Sequence, residues 1–269
     1  MLVHESIPEC DVSQDAVTLF TRDGHSIQGT LFHKTSQRPR FAAVLCGGAG
    51  VRANHYKRFA RYLACEDIAA LTFDYRGIGQ SRHGALRGYD ASFEDWAEHD
   101  CAAAIDFICD RLDVPAFGIS HSIGALTLGG AANVSRLCGI AMIAPHTGYV
   151  GDYRRAYIVP MALLWHGLMP ALTSIFGYFP ARRLGLGEDI PGKIAMAWAR
   201  RRRARPTSSP DGRTHKVLDR LANVRIGALA ITISDDPFAT ERGAERVTGL
   251  YRGMSFRHAV VTPQLVQKD

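Results

Sequence analysis

The residues best placed to do chemistry lie in the segment VPAFGISHSIGA, residues 114–125. A strand-like run passes directly into Ser122 and then into a helical pattern of small residues. Such a strand–turn–helix, a nucleophile elbow, strains its middle residue and directs the hydroxyl off the sheet. Gly124 allows the close approach of the two backbones, whereas Ser120 stands where a glycine is usual. We predict Ser122 as the nucleophile; a pattern centred on Ser120 is the alternative, and it places the turn too early in the strand.

The elements that must position this serine alternate between strand and helix, which is typical of a parallel sheet. Two strands on either side of Asp23-Gly24 are predicted to open the sheet as an antiparallel hairpin. The predicted strands cover residues 16–21, 26–33, 41–46, 69–75, 116–120, 138–144, 228–234 and 256–261. The predicted helices cover residues 56–65, 93–111, 123–132 and 239–251, with Ser92 as the cap of the second.

The alternation stops between Pro145 and about Arg220, where paired prolines, aromatic residues and an arginine run appear. We interpret residues 146–220 as an inserted helical lid. The core then consists of an N-terminal part, residues 1–145, and an incomplete C-terminal part, residues 221–269.

Within this insertion, Ile158–Phe179 is apolar and nearly long enough to span a bilayer. It contains Pro160, Pro170 and His166, and a lid over an apolar pocket explains the same composition. Membrane association is therefore not expected, and attachment to a lipid surface is the alternative.

Four further segments resemble the α/β-hydrolase-fold superfamily. The segment DYRGIGQS, residues 74–81, is similar to its DxRGxGxS loop, and Gly47–Val51 resembles its oxyanion loop. SDDPFAT, residues 234–240, follows a late strand where that fold carries its acid. Together with GVRANHYKRFARYLA, residues 50–64, they resemble bacterial predicted hydrolases of the serine type. The implied fold is an α/β-hydrolase fold, a mostly parallel doubly wound sheet with an inserted helical lid.

The resemblance assigns roles by position. It implies Asp236 as the acid, in preference to Asp235, because Asp236 directly precedes Pro-Phe. It implies the backbone amides of Ile123 and Val51 as the oxyanion donors. Two such donors supply several kcal/mol, on the order of 3 each.

The family places its catalytic histidine in a Gly-His segment after the last strand, and no histidine follows residue 261 here. We interpret this as a truncated or divergent end, which would leave the sheet edge and nearby apolar surface exposed. His55, near the oxyanion loop, and His146, directly after a core strand, are candidates to replace the base. His258 and His121 are interpreted as structural residues, and His166 as a polar residue of the lid.

Composition and charge bear on the partners, the cofactors and the cellular compartment. The net charge of +6 is concentrated in an arginine cluster, Arg200–Arg205, and no recognition module accompanies it, so no nucleic-acid partner is predicted. Six cysteines show no metal-ligand spacing, and we interpret them as small hydrophobic residues in a reducing cytoplasm. The chemistry requires no metal and no organic cofactor. The sequence does not indicate an oligomeric state.

We predict a serine hydrolase, esterase-like, that acts on an ester or acyl bond through an acyl-enzyme at Ser122. The substrate would be a small molecule with an apolar portion. The alternative is a catalytically impaired or non-catalytic member of the fold, possibly a small-molecule binder, because the histidine is missing. A membrane- or polyanion-associated protein is a third hypothesis.

Overall fold

The computed structural model describes residues 10–201 and 213–266, and an eight-stranded sheet lies at its centre. Predictions made for residues 1–9, for Arg202, Arg203 and Arg205, and for residues 267–269 lie outside the described residues. The fold is the expected α/β-hydrolase architecture, with helices on both sides of a mostly parallel sheet.

Strand positions follow the predicted pattern closely. The strands are β1 (Val12–Phe20), β2 (Ser26–Lys34), β3 (Phe41–Cys46), β4 (Ile68–Phe73), β5 (Ala116–His121), β6 (Gly139–Ile143), β7 (Tyr178–Phe179), β8 (Ile190–Pro191), β9 (Gly227–Ile233) and β10 (Phe256–Val261). The order in the main sheet is β1-β2-β4-β3-β5-β6-β9-β10, and β7 and β8 form a separate ribbon. In the main sheet β1 pairs antiparallel with β2 and β2 pairs antiparallel with β4, and the other pairs are parallel. The ribbon of β7 and β8 is antiparallel. Buried alanine, valine and leucine side chains dominate β3 and β4, as expected for strands covered on both faces.

The helices lie between these strands. They are α1 (Lys57–Cys65), α2 (residues 93–111), α3 (Gly124–Gly129), α4 (Arg155–Phe176), α5 (Gly192–Ala199), α6 (Arg213–Asn223), α7 (Glu241–Thr248) and α8 (Pro263–Val266). Ser92 caps α2 through a capping box with Asp95, as the sequence predicts. Both α2 and α4 contain one π-helical turn, at Trp96–Cys101 and Leu164–Leu168.

The two faces of the sheet are covered unequally. One face carries the large core formed with α2 and α3, which includes the fully buried Trp96, Ile105 and Leu128. The other carries a smaller core under α1. Beyond α1, in the described part of the chain, a groove of about 740 Å³ runs along β5, β6 and β9 and is lined by Phe117, Leu229 and similar residues.

The cysteines differ from the sequence-based interpretation. Cys10 and Cys65 form a disulfide that joins the start of β1 to the end of α1. Cys46 and Cys101 are free, fully buried thiols in the large core, with their sulfur atoms 3.6 Å apart. This pair and the half-buried Cys109, which packs against the same core, behave as the expected small hydrophobic residues, whereas the free Cys138 is exposed.

Candidate functional site

Ser122 lies at the turn between β5 and α3. Its φ angle is 58°, a left-handed value that costs a non-glycine residue energy and is retained only where the surroundings enforce it. The surroundings are tight, because a Cβ atom on Gly124 would lie 2.4 Å from the carbonyl oxygen of Cys46. The Ser122 amide is also fixed, since it donates to the carbonyl of Ile143. The turn therefore presents the Ser122 hydroxyl at the carboxyl ends of β5 and β6.

His146 is the partner of this hydroxyl. It lies three residues after the end of β6, and its Nε2 atom lies 2.8 Å from Ser122 Oγ. The ring is buried, with 9% of the residue exposed. Of the two histidines that the sequence offered as replacements for a missing base, the structure brings His146 to the serine. His55 is exposed and packs its ring against Tyr56 instead.

The other ring nitrogen decides the proton arrangement of His146. The backbone N–H of Gly148 donates to Nδ1 over 3.0 Å. A nitrogen that accepts a hydrogen bond carries no proton, so the neutral ring has its proton on Nε2 and donates to Ser122 Oγ. A general base needs the opposite arrangement, in which Nε2 accepts from the serine. In this resting geometry His146 orients Ser122 but does not activate it.

Burial controls the charge of His146. It lowers the pKa of His146 to about 4, although the nearby negative charge of Asp236 opposes the shift. His121 and Arg201 add to the lowering. The ring is consequently neutral near pH 7, which a proton acceptor requires, but it is a weak base.

Asp236 occupies the turn after β9, near the site but turned toward its own backbone. Its Oδ1 atom accepts from the amides of Phe238 (2.8 Å) and Ala239 (2.9 Å). Both ring nitrogens of His146 are already engaged by Ser122 and Gly148, so Asp236 acts on that ring through charge alone. The role of Asp236 as a triad acid stays a prediction.

The predicted oxyanion loop lies against the serine. A Cβ atom on Gly48 would lie 3.4 Å from the Ser122 Cβ and 3.5 Å from a methyl of Val51. The Gly48 amide donates to the Tyr56 hydroxyl, which also shares a hydrogen bond with Nδ1 of His121, both over 2.9 Å. His121 therefore fixes the loop, which agrees with its expected structural role.

The two predicted oxyanion donors differ in their surroundings. The Val51 amide bonds the Gly48 carbonyl over a long 3.3 Å. Ile123, which is almost fully buried, begins the turn into α3, where amide groups favour negative charge. Their use as oxyanion donors stays a prediction.

Two neighbouring elements hold the oxyanion loop. Asp74, in the DYRGIGQS segment, accepts from the Ala53 amide over 2.6 Å. Glu188, from the insertion between β6 and β9, donates its backbone N–H to the Gly50 carbonyl and pairs with Arg52 at 2.6 Å. The loop is therefore attached both to the core and to the insertion.

A small cavity of about 70 Å³ lies beside Ile123. Apolar side chains from α2, α3 and α6 form most of its wall, among them Phe93, Leu126 and Leu221. Arg201 also borders it; this guanidinium donates to the Thr147 carbonyl and stacks on Phe93. The cavity could take a short apolar group beside Ile123, the residue that follows Ser122, and its lining does not include Ser122 or His146.

Other candidates from the sequence are not at the site. Ser120 is buried and directs its hydroxyl to the carbonyl of Ala141, so the shifted pattern has no exposed hydroxyl. His258 is exposed in β10, and His166 bonds the Ala199 carbonyl within the insertion. Over residues 10–201 and 213–266, no group of three or more His, Cys, Asp or Glu residues could hold a metal ion.

Comparisons with known proteins identify the family of the chain. The family model for serine aminopeptidases of the S33 type, an α/β-hydrolase family, matches residues 37–204. A search of curated proteins finds no match.

Solved structures share the fold at low sequence identity. A structure of DcsB in complex with its substrate analogue has a TM-score of 0.61 at 16% identity, over 93% of this chain and 90% of that one. The Pyrococcus furiosus esterase Pf2001 has a TM-score of 0.56 at 15% identity, over 93% and 84%. A Paleococcus ferrophilus monoacylglycerol lipase has a TM-score of 0.54 at 16% identity, over 93% and 89%.

The family match covers more than half of the chain, and its residues include the strained serine and the histidine bonded to it. The chain therefore belongs to the S33 serine aminopeptidase family of α/β hydrolases.

Proposed function

We propose that this α/β hydrolase is a slow serine esterase in which Ser122 attacks the acyl carbon and His146 takes the serine proton. The observation that carries the proposal is the 2.8 Å contact between Ser122 Oγ and His146 Nε2 at a strained turn. His146 would pass the serine proton to the leaving alcohol as the acyl-enzyme forms. It would then take a proton from the water that attacks the acyl carbon and pass it to Ser122 Oγ as the carboxylic acid leaves. The amides of Ile123 and Val51 would stabilise the oxyanion in both steps.

The proton arrangement of His146 explains why the reaction would be slow. Before Nε2 can accept a proton, the ring must carry its own proton on Nδ1, and the Gly148 amide must give up its acceptor. Leaving a buried amide unpaired costs about 1–3 kcal/mol, a factor of about 5 to 150 in rate. The packing of Gly148 against Trp198 restricts this change, because a Cβ there would lie 3.2 Å from the indole. Asp236 would help only through its charge.

The cavity beside Ile123 supports a substrate with a short apolar acyl group. Its volume of about 70 Å³ and its mostly apolar wall leave little room for a long chain. We therefore expect acetate and butyrate esters to react faster than octanoate esters. Esterase-like neighbours such as Pf2001 share the fold and agree with a small ester as substrate.

A non-catalytic binder is the second candidate function. The resting hydrogen bond from His146 Nε2 to Ser122 Oγ favours this function, because a histidine nitrogen that donates to the serine hydroxyl does not accept its proton. Such a protein would bind small esters or acids in the same place without turnover.

Hydrolysis of p-nitrophenyl esters from acetate to octanoate separates these candidates. The unmodified chain is compared with Ser122→Ala, and Ser120→Ala is the matched control because it removes a neighbouring buried hydroxyl. We expect loss of at least about 100-fold in kcat/KM in Ser122→Ala and less than about threefold in Ser120→Ala. Equal rates in all three chains, together with the absence of a fluorophosphonate adduct on Ser122 by mass spectrometry, would contradict the esterase and favour the non-catalytic binder.

The state of the cysteines bears on the cellular compartment of the protein. Composition predicts the cytoplasm, whereas the Cys10–Cys65 disulfide is a feature of oxidising compartments. Rapid alkylation of the protein in its own cells tests the prediction. A cytoplasmic protein should be alkylated on both Cys10 and Cys65, and protection of both would contradict a cytoplasmic location.

A further inference from the structure

The outward face of helix α4 is apolar over nearly its whole length. The helix has 22 residues and a mean hydropathy of 1.5, and only 11% of its most apolar window is buried. Its exposed large side chains, with the fraction exposed, are Tyr157 (41%), Val159 (67%), Leu163 (68%), Leu168 (43%) and Ile175 (63%). A lid that covered an apolar pocket would turn these residues inward, so the composition of the segment requires another explanation.

The apolar face continues toward the site. The ring of Tyr157 packs on Phe238 with centroids 5.4 Å apart, and Phe238 is itself 36% exposed. Phe238 contacts Tyr153, which contacts the ring of His146. The exposed surface formed by Tyr157, Val159, Leu163, Leu168, Ile175 and Phe238, here called the α4 surface, therefore reaches the edge of the candidate site.

The charged residues at the two ends of α4 are arginines, whereas the acidic residues Asp235 and Asp236 lie close to Phe238 in the sequence. From residue 156 to residue 176 the helix carries no Asp, Glu, Lys or Arg. Arg154 and Arg155 lie at its first turn, whereas Arg87 and Arg183 lie at its last, where Arg87 donates to the Ile175 carbonyl and Arg183 stacks on Phe176. All four arginines are exposed, and in the part of the chain that the structure describes none of them pairs with a carboxylate.

This pattern fits a helix that lies in the plane of a membrane surface. An apolar face inserts below the headgroups, and cations at its ends meet anionic headgroups. A membrane-spanning orientation would require α4 to leave the fold, since Met169 and Thr173 on its inner face are buried and pack toward α5. We propose that the α4 surface docks this protein on bilayers rich in anionic phospholipid. The inference is independent of whether Ser122 reacts.

Flotation with unilamellar vesicles tests the docking. Equimolar phosphatidylglycerol and phosphatidylcholine vesicles are compared with vesicles of phosphatidylcholine alone. We expect the full chain to float with the anionic vesicles and the double variant Val159→Asp/Leu163→Asp to lose at least about tenfold in partitioning. Phe20→Asp and the single variant Leu163→Asp form a matched pair, because each adds one carboxylate at an exposed apolar side chain, 79% exposed on β1 and 68% exposed on α4. Leu163→Asp should lose partitioning, and the partitioning of Phe20→Asp should stay unchanged.

The arginines give a second measurement. Arg154→Gln/Arg155→Gln should weaken binding to anionic vesicles by roughly fivefold per arginine, and added salt should do the same to the full chain. Circular dichroism checks that each variant is folded.

Three results would overturn the proposal. The first is a full chain that remains unbound to both vesicle types. The second is a protein that dimerises in the absence of lipid and becomes a monomer in Val159→Asp/Leu163→Asp, which would assign the α4 surface to a second copy. The third is protein that alkaline carbonate fails to release from membranes, which would indicate a spanning helix.

Discussion

Two buried polar clusters in this molecule differ in how their charges are satisfied. Arg76, 2% exposed, is bonded by Asp100 at its backbone amide and its guanidinium, and by Asp23 at both terminal nitrogens. Its carbonyl accepts from the Trp96 indole. His146 is buried to a similar degree, yet it faces only a serine hydroxyl and a backbone amide.

The pKa values of the two clusters reflect this difference. Burial opposes ionisation of Asp23, but the Arg76 and Thr21 hydrogen bonds hold its pKa well below the usual range. For His146 burial outweighs the opposing charge of Asp236, which forms no hydrogen bond to the ring, and the pKa falls to about 4. The fully paired charge of Arg76 stabilises the fold. The ring of His146 has no ion partner, so it stays neutral and available to a substrate.

The largest effect is expected from a substitution in the Arg76 cluster, where the buried charges are paired. Asp100→Ala leaves the buried Arg76 with one carboxylate, and we expect the free energy of unfolding to fall by about 3–5 kcal/mol in urea denaturation. Asp110→Ala, on the same helix, is the control. Its ion pair with Arg136 is exposed, so its loss should cost less than about 1 kcal/mol. Equal losses in the two variants would show that Arg76 is adequately paired by Asp23 alone.

The neutral, buried His146 is expected to make the stability of the protein depend on pH. Since the pKa of His146 is lowered from about 6.5 to about 4 on folding, the folded state disfavours protonation. The stability from a neutral His146 is fully present above pH 6.5 and is lost progressively between pH 6.5 and 4, by on the order of 3 kcal/mol. His146→Gln should remove this part of the pH dependence. The prediction would be wrong if the free energy of unfolding changed with pH equally in the unmodified chain and in His146→Gln.

A third test asks whether His146 takes a proton. His146→Gln can still accept from Gly148 and donate to Ser122, but it cannot act as a base. We expect kcat/KM for p-nitrophenyl acetate to fall by about 100-fold or more. His55→Gln should change it by less than about twofold because His55 is exposed. The acid limb of the pH–rate profile should lie near pH 4, and a limb between pH 6 and 7 would point to another base.

The smallest effect is expected at Asp236. Asp236→Asn keeps the oxygen that accepts from Phe238 and Ala239 and removes only the negative charge. Activity should fall by less than about tenfold, and the acid limb should move to lower pH because that charge raises the pKa of His146. A loss approaching about 10⁴-fold, as for a hydrogen-bonded triad acid, would mean that Asp236 bonds His146 during turnover.

Local patterns were sufficient to predict most of the core. The hairpin around Asp23-Gly24, the Ser92 cap and the turn at Ser122 each depend on residues close in sequence, and the structure places all three as expected. The resemblance likewise indicated the loop that contains Gly48 and its position beside Ser122.

Properties that depend on distant contacts could not be read from the sequence. The pairing of Cys10 with Cys65 joins residues 55 positions apart, and composition alone suggested buried thiols. His146 was recognisable only by its place after a strand, whereas its tautomer depends on the Gly148 amide two residues away. The direction of the apolar face of α4 depends on what its inner face packs against, which periodicity within an almost wholly apolar segment does not reveal.

Glu188 has a thermodynamic consequence, because it joins the insertion that carries α4 to the loop that carries Gly50 and Arg52. An event that displaces Glu188 breaks these two bonds to the loop beside Ser122. Linkage is reciprocal: if attachment of α4 to a bilayer changes the affinity of the site for a ligand by some factor, that ligand changes the affinity for the bilayer by the same factor. Vesicle binding measured with and without a bound ester analogue would give this coupling free energy directly.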